Sequence, residues 1–201
     1  MSELAMKIRG LEKRFPEFQL GPLDLNVPKG AIYGYIGPNG AGKTTTIDLI
    51  MGMGRNDAGT IEVFGLDHRK HDARIKRGVG YVSPDLAFQA WGYVYRLVNF
   101  WRCFYPDWDD EYCESLMKRF SLNGDKRIST LSFGERTKLS LLLALAHRPA
   151  FLLLDEPFAG LDAVVKTEVL EELLAAVRAC FTSRLRATPL SDTKVPRPCF
   201  L

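Results

Sequence analysis

Three short stretches carry residue types at spacings suited to chemistry on a phosphate. The first, Gly37-Pro38-Asn39-Gly40-Ala41-Gly42-Lys43-Thr44, satisfies G-x-x-x-x-G-K-[ST] at every fixed position. Glycines let successive backbone N–H groups turn inward into an anion nest with no Cβ in the way. A helix that starts at the phosphates adds the positive end of its dipole. Lys43 supplies a point charge to the terminal phosphates, the Thr44 hydroxyl can ligate Mg²⁺, and Thr45 joins the nucleotide-binding set on the same turn. The bland reading is a Gly-rich turn before a helix. An apolar run before the motif and a helical pattern after it give the phosphate loop the context it needs.

The second stretch, Phe151-Leu152-Leu153-Leu154-Asp155-Glu156-Pro157, is an apolar strand ending in two carboxylates. Ligands of parallel sheets sit at the carboxyl ends of strands. There Asp155 would hold Mg²⁺, directly or through water, and Glu156 could polarise an attacking water. A buried strand whose exit is made soluble by acids would look the same. Its position after a phosphate loop, in the right chain order, favours the chemical reading. The third stretch, Leu131-Ser132-Phe133-Gly134-Glu135, opens a long apolar helix. Ser132 and Glu135 form a capping box, which needs no function. A capped helix start with Gly in its first turn is also a good phosphate site.

The elements that must position these residues follow from periodicity. Residues 6–15 read as an edge strand, 20–27 as a half-buried strand and 31–36 as a short buried strand. Residues 43–51 form a helix, 59–64 and 80–83 short strands, and 86–147 a mostly helical stretch. Residues 151–154 form a continuous apolar strand, and 164–178 a helix with Val165, Val169, Leu173 and Val177 at i, i+4 spacing. Mixed β followed by alternating β and α predicts an α/β domain with a helical insert at about 86–147.

At 201 residues the chain fits one medium domain with room to bury a core. Its longest apolar stretch, residues 141–146, is far short of the ~20 residues that cross a bilayer, and residues 1–10 show no signal-peptide core. Four cysteines without close metal spacing read as free thiols in a reducing cytosol. The net charge of +3 resides entirely in residues 181–201, where Arg184, Arg186, Lys194 and Arg197 face only Asp192. The neutral body argues against a nucleic-acid partner.

Taken together, and in this order, the motifs resemble those of the ATP-binding-cassette (ABC) family of transporter nucleotide-binding subunits, over roughly residues 5–180. Residues 37–44 resemble its Walker A loop and 151–156 its Walker B strand with the catalytic glutamate, Glu156. Ala159-Gly160-Leu161-Asp162 resembles its D-loop. Residues 131–135 resemble its signature, usually Leu-Ser-Gly-Gly-Gln, with Phe133 in place of the first Gly and Glu135 in place of Gln. Tyr105-Pro106-Asp107-Trp108-Asp109 before a helix resembles bacterial exporter subunits of the ABC-2 type, and Phe15 sits where the family stacks an aromatic on adenine. The resemblance implies a P-loop NTPase core sheet with an antiparallel β subdomain and a helical insert. It implies ATP and Mg²⁺ as cofactors, and ATP hydrolysis coupled to transport. It implies a head-to-tail pair of cassettes, homo- or heterodimeric, in which Ser132, Gly134 and Glu135 of one meet the nucleotide of the other. It also implies a transmembrane permease partner and a peripheral cytoplasmic place on the inner face of the plasma membrane.

Two departures accompany the resemblance. Ser83-Pro84-Asp85 stands where the family has a Gln, and Asp85 could take over as a hard-ion ligand. The family's histidine after the next strand has no counterpart, since His68, His71 and His147 all precede Walker B. A soluble ABC ATPase of repair or translation, and a hydrolysis-defective nucleotide-binding remnant, are the competing functions. Residues 88–112 hold ten of the 22 aromatics, which suits either the insert's core or a groove for a permease helix; base stacking on Arg96 or Arg102 is disfavoured by the balanced charge. Residues 181–201 bring three prolines and two arginines where a buried strand is due. They read as a disordered or frayed tail, as a frameshift or truncation with a foreign end would produce, and slow hydrolysis is expected.

Overall fold

The structure, a computed structural model, describes residues 4–31, 33–35, 37–38, 40–83 and 88–185, with backbone alone at 89 and 176–185. The described residues divide into two compact units, one within Met1–Val79 and Ala150–Asp155, the other Gly80–Pro149 with residues 156–185.

In the first unit, β1 (Leu4–Arg14), β2 (Gln19–Pro28), β3 (Ala58–Val63) and β4 (Leu66–Asp67) form an antiparallel sheet in the order β2-β1-β3-β4. Period-2 alternation sets the register: Met6 pairs with Val27 and Val63, and Ile8 with Leu25 and Ile61. These side chains form the sheet's buried face, each contributing about 1.5–3 kcal/mol on burial. Leu11 returns to the core after a register shift between Ile8 and Leu11, where Asp24 accepts the Gly10 N–H at 2.7 Å. The helix α1 (Lys43–Ile50) buries Thr46, Ile47, Leu49 and Ile50, and the short α2 (Asp72–Arg77) buries Ile75. Two further strands are β5 (Val79–Val82), which begins at the last residue of this stretch of the first unit, and β6 (Phe151–Leu154), which lies within the first unit. The N–H groups of Ala150 and Phe151 donate to the Gly78 carbonyl at 2.9 and 3.1 Å.

Two expectations fail in this unit. Residues 4–14 are not an edge strand, because β1 is flanked by β2 on one side and β3 on the other. An irregular β1, carrying Lys7, Arg9 and Lys13 between its apolar residues, reads as an edge even though pairing on both sides saturates its backbone. Residues 31 and 33–35 form no strand; they are half-buried or exposed on the way into the Gly-rich loop.

The second unit is helical: α3 (Val94–Arg102), α4 (Asp110–Arg119), α5 (Phe133–Leu145) and α6 (Ala163–Leu185), with short 3₁₀ turns at Gln89–Trp91 and Ile128–Thr130. Every residue of α5 from Leu139 to Leu145 is buried, as expected of a helix apolar on all sides. Asp109 caps α4 by accepting the Tyr112 N–H at 2.8 Å, and its carboxylate also holds Arg148 at 2.9 Å. The capping bond and Arg148 hold the Asp109 carboxyl below its ordinary range. Arg119 pairs with Glu172 at 2.9 Å and Lys138 pairs with Glu168, which fastens α6 to α4 and α5. Val169 and Leu173 of the i, i+4 stripe are buried. The helix continues past Arg178, its expected end, to Leu185. Residues 186–201 lie outside the described residues.

The aromatic segment divides between core and surface. Phe88 is buried against Trp101, and Tyr105 stacks on the buried His147 at 3.9 Å. Tyr95, Phe100 and Phe104 are exposed.

Candidate functional site

The Gly-rich loop belongs to the first unit. Gly40 and Gly42 have φ of 80° and 86°, and Gly42 is the N-cap of α1. Left-handed residues are among those from which anion-binding nests are built. A Cβ at Gly42 would stand 2.7 Å from Leu20 Cδ1 and 2.9 Å from Phe18 Cζ, so sterics as well as φ reserve this position for glycine. Lys43 Nζ folds back over the loop and donates to the carbonyls of Gly37 and Pro38 at 2.9 and 3.0 Å. The Ala41 N–H donates to the Pro38 carbonyl at 3.2 Å and closes the turn. Thr44 is exposed and Thr45 half-buried on the first turn of α1. Thr46 is buried and donates its hydroxyl to the Gly42 carbonyl at 2.8 Å, which ties the helix start to the loop.

Phe15 lies between β1 and β2, 45% exposed, with its ring stacked on Phe18 at 6.2 Å and Lys13 Nζ 5.7 Å from its centroid. Since Phe18 also walls Gly42, the ring of Phe15 is linked to the loop through one side chain. Asp155 follows β6 in the same unit and is 4% exposed. A carboxylate so buried calls for a cation or donors. Thr44 offers a hydroxyl and Asp155 a carboxylate, oxygen donors of the kind Mg²⁺ takes. Asn39 and Asp85, two of the predicted site residues, lie outside the described residues.

The second unit holds the rest. Glu156 is exposed and takes φ of 46°, a conformation uncommon for a non-glycine residue and recurrent at functional positions. Its carbonyl accepts the Ala159 N–H at 3.0 Å, starting the turn into Gly160 and Leu161. Asp162 caps α6 through the Val165 N–H at 2.9 Å. At the start of α5 the capping box is complete: Ser132 Oγ accepts the Glu135 N–H at 3.2 Å, and Glu135 Oε2 accepts the Ser132 N–H at 2.7 Å. Glu135 Oε1 accepts Lys126 Nζ at 2.7 Å. The Lys126 ammonium, then the Ser132 N–H, hold the Glu135 carboxyl below its ordinary range. Phe133 is 49% exposed, and its Cε1 lies 3.2 Å from the place a Cβ would take on Gly160, whose φ is 66°. The signature-like segment and the D-loop-like turn are therefore packed together through Phe133.

Phe18, Thr46 and Lys126 are the residues that sequence reasoning left out. Phe18 and Thr46 flank the motif without belonging to its pattern, and Lys126 lies nine positions from Glu135, beyond any helical spacing.

A Gly-rich loop that opens a helix, with a buried acid at a strand end, defines a nucleotide-binding protein of the P-loop class. The family model described as "ABC transporter" matches residues 20–159, and this chain belongs to that family. It is 37% identical over 182 residues to the ABC transporter ATP-binding protein YtrB of Bacillus subtilis (strain 168), covering 90% of this chain and 62% of that protein. It is 33% identical over 183 residues to the daunorubicin resistance ATP-binding protein DrrA3 of Streptomyces coeruleorubidus, covering 88% of this chain and 58% of the relative. A solved structure titled "Structure of ATP binding subunit of ABC transporter" shares the fold, with a TM-score of 0.75 at 20% identity over 98% of this chain and 78% of the other. The chain thus spans about three fifths of the length of these two curated relatives. Among the described residues no helix is long and apolar enough to cross a membrane.

Proposed function

We propose that this chain binds and hydrolyses MgATP as one of two head-to-tail cassettes, on the cytoplasmic face of the plasma membrane, and drives a transmembrane permease. The observation that carries the reading is the loop itself. Its left-handed glycines shape an anion nest, and Lys43 already hangs over it on two carbonyls that a phosphate would replace as the lysine's partners. Residues 37–45 cradle the phosphates, and Phe15 offers its exposed ring to the base. Thr44 and Asp155 hold the metal ion, which when bound supplies charge neutralisation at the transferring phosphoryl group. Glu156 accepts the proton of the attacking water. Ser132 Oγ and the Gly134 N–H of one cassette meet the terminal phosphate bound on the other, where the α5 dipole favours negative charge.

Glu156→Gln should keep binding MgATP while blocking its cleavage, and so trap the paired state. Sedimentation of that variant with MgATP is expected to show a dimer. A monomer with ATP bound by calorimetry overturns the pairing. Turnover measured beside binding in the unaltered chain distinguishes an ATPase from a chain that only binds. Co-purification with a membrane protein distinguishes a transporter subunit from a soluble ATPase.

A further inference from the structure

We infer that Lys126 is a positioning residue of the nucleotide sandwich. It holds Glu135 against the start of α5 and cancels its charge, so that this helix start can accept the polyphosphate carried by the partner cassette. The inference rests on the head-to-tail reading above.

Glu135 stands where the resemblance places a Gln. Either residue completes a capping box, so the cap itself does not require a charge at this position. It does add a negative charge three residues from Ser132, at a place proposed to receive an anion. Both oxygens are engaged: Oε2 with the Ser132 N–H and Oε1 with Lys126 Nζ, each at 2.7 Å. The lysine comes from a pinned backbone. Its N–H donates to the Asn123 carbonyl at 3.1 Å, and its own carbonyl accepts the Val94 N–H at 3.1 Å. Asn123 Oδ1 tightens the same turn by accepting the Asp125 N–H at 2.9 Å. The ammonium is thus delivered from a fixed loop to a fixed carboxylate. With that charge cancelled, the N–H groups at the start of α5 face an incoming phosphate without a carboxylate's repulsion. An ion pair this exposed adds little to stability by itself, so its effect belongs in association with an anion.

The test uses the full chain carrying Glu156→Gln, with ATP-dependent dimerisation read by sedimentation and MgATP affinity by calorimetry. Lys126→Met should weaken dimerisation about tenfold, the order expected of one uncompensated charge facing a polyphosphate, and leave nucleotide affinity unchanged. Lys126→Arg should restore it. In a Glu135→Gln background, adding Lys126→Met should change dimerisation less than about twofold, because no charge remains to cancel. An equal loss with and without Glu135→Gln overturns the inference and makes Lys126 a direct contact or a purely structural residue. No loss with Lys126→Met overturns it too, while the pairing survives. If the parent Glu156→Gln protein stays monomeric with ATP bound, the pairing and the inference fall together. Should Lys126→Met lose nucleotide binding through misfolding, Lys126→Gln carries the same comparison.

Discussion

The Gly-rich loop before α1 and the start of α5 are both suited to a phosphate, but by opposite means. The loop is built from backbone: two left-handed glycines, a lysine drawn back over carbonyls, and a Cβ-free surface against Phe18. The start of α5 is built from side chains: a serine and a glutamate that satisfy each other, and a lysine from a separate turn. A site made of backbone leaves its signature in the sequence as glycines at fixed positions. A site made of side chains leaves only a cap, which most helices want anyway.

The largest effect that sharpens this contrast is at Lys43. Lys43→Ala removes the loop's side-chain cation, and MgATP affinity should fall about 100-fold or more, since a charge-assisted phosphate contact in a nest is worth roughly 3 kcal/mol. Calorimetry on the folded variant checks it, and unchanged affinity breaks the loop assignment. The matching change in the other region, Ser132→Ala, should leave that affinity alone. Its cost is the cap, about 1 kcal/mol in a denaturant titration, with loss of ATP-dependent pairing in the Glu156→Gln protein.

The next effect compares two glycines. Gly42→Ala forces a Cβ into a left-handed residue and against Leu20 and Phe18, and should destabilise the chain by about 1–3 kcal/mol. Gly134→Ala meets only ordinary contact with Val165 at 3.4 Å, on the first turn of a helix. It should be neutral or stabilising by up to about 1 kcal/mol. Thermal unfolding of the two variants side by side decides the matter. Equal destabilisation would mean that the start of α5 is as sterically committed as the loop.

The same contrast explains what was legible in the sequence. The helix after the loop, the apolar strand at Phe151–Leu154 and the capping box were readable, because each is fixed by a local pattern: a glycine motif, a short apolar run, a Ser-x-x-Glu spacing. The interior position of β1 was not readable, because pairing on two sides depends on β3, some fifty residues away. Residues 31 and 33–35 have β-forming side chains but run into a loop whose glycines set the backbone, so local propensity was overridden. The strand expected beyond Arg178 does not begin by Leu185, because the helix runs on through Arg184, a residue out of place in a buried strand but a good helix former. At the site, Glu135 was legible as a cap and as a departure from Gln. Its partner Lys126 was invisible, since the turn at Asn123 and the start of α3 bring it there.

The smallest effect tests whether Glu135 is an ionised partner of Lys126 or merely a cap. Its carboxyl is held below the ordinary range by the Lys126 ammonium and then by the Ser132 N–H. A depressed carboxylate adds stability that is fully present above its unfolded value and is lost as pH falls through its folded value. At neutral pH the unaltered chain should therefore be more stable than Glu135→Gln by about 0.5 kcal/mol, as befits a partly exposed pair. Below the ordinary carboxylate range the two should converge, because a protonated glutamic acid caps no better than the amide. Urea titrations of both chains at neutral and acid pH measure the gap, and the other acids cancel between the two proteins. A gap that persists unchanged into acid means that the carboxylate's charge is not what Lys126 holds. The difference between backbone-built and side-chain-built phosphate sites would then rest on Ser132 alone.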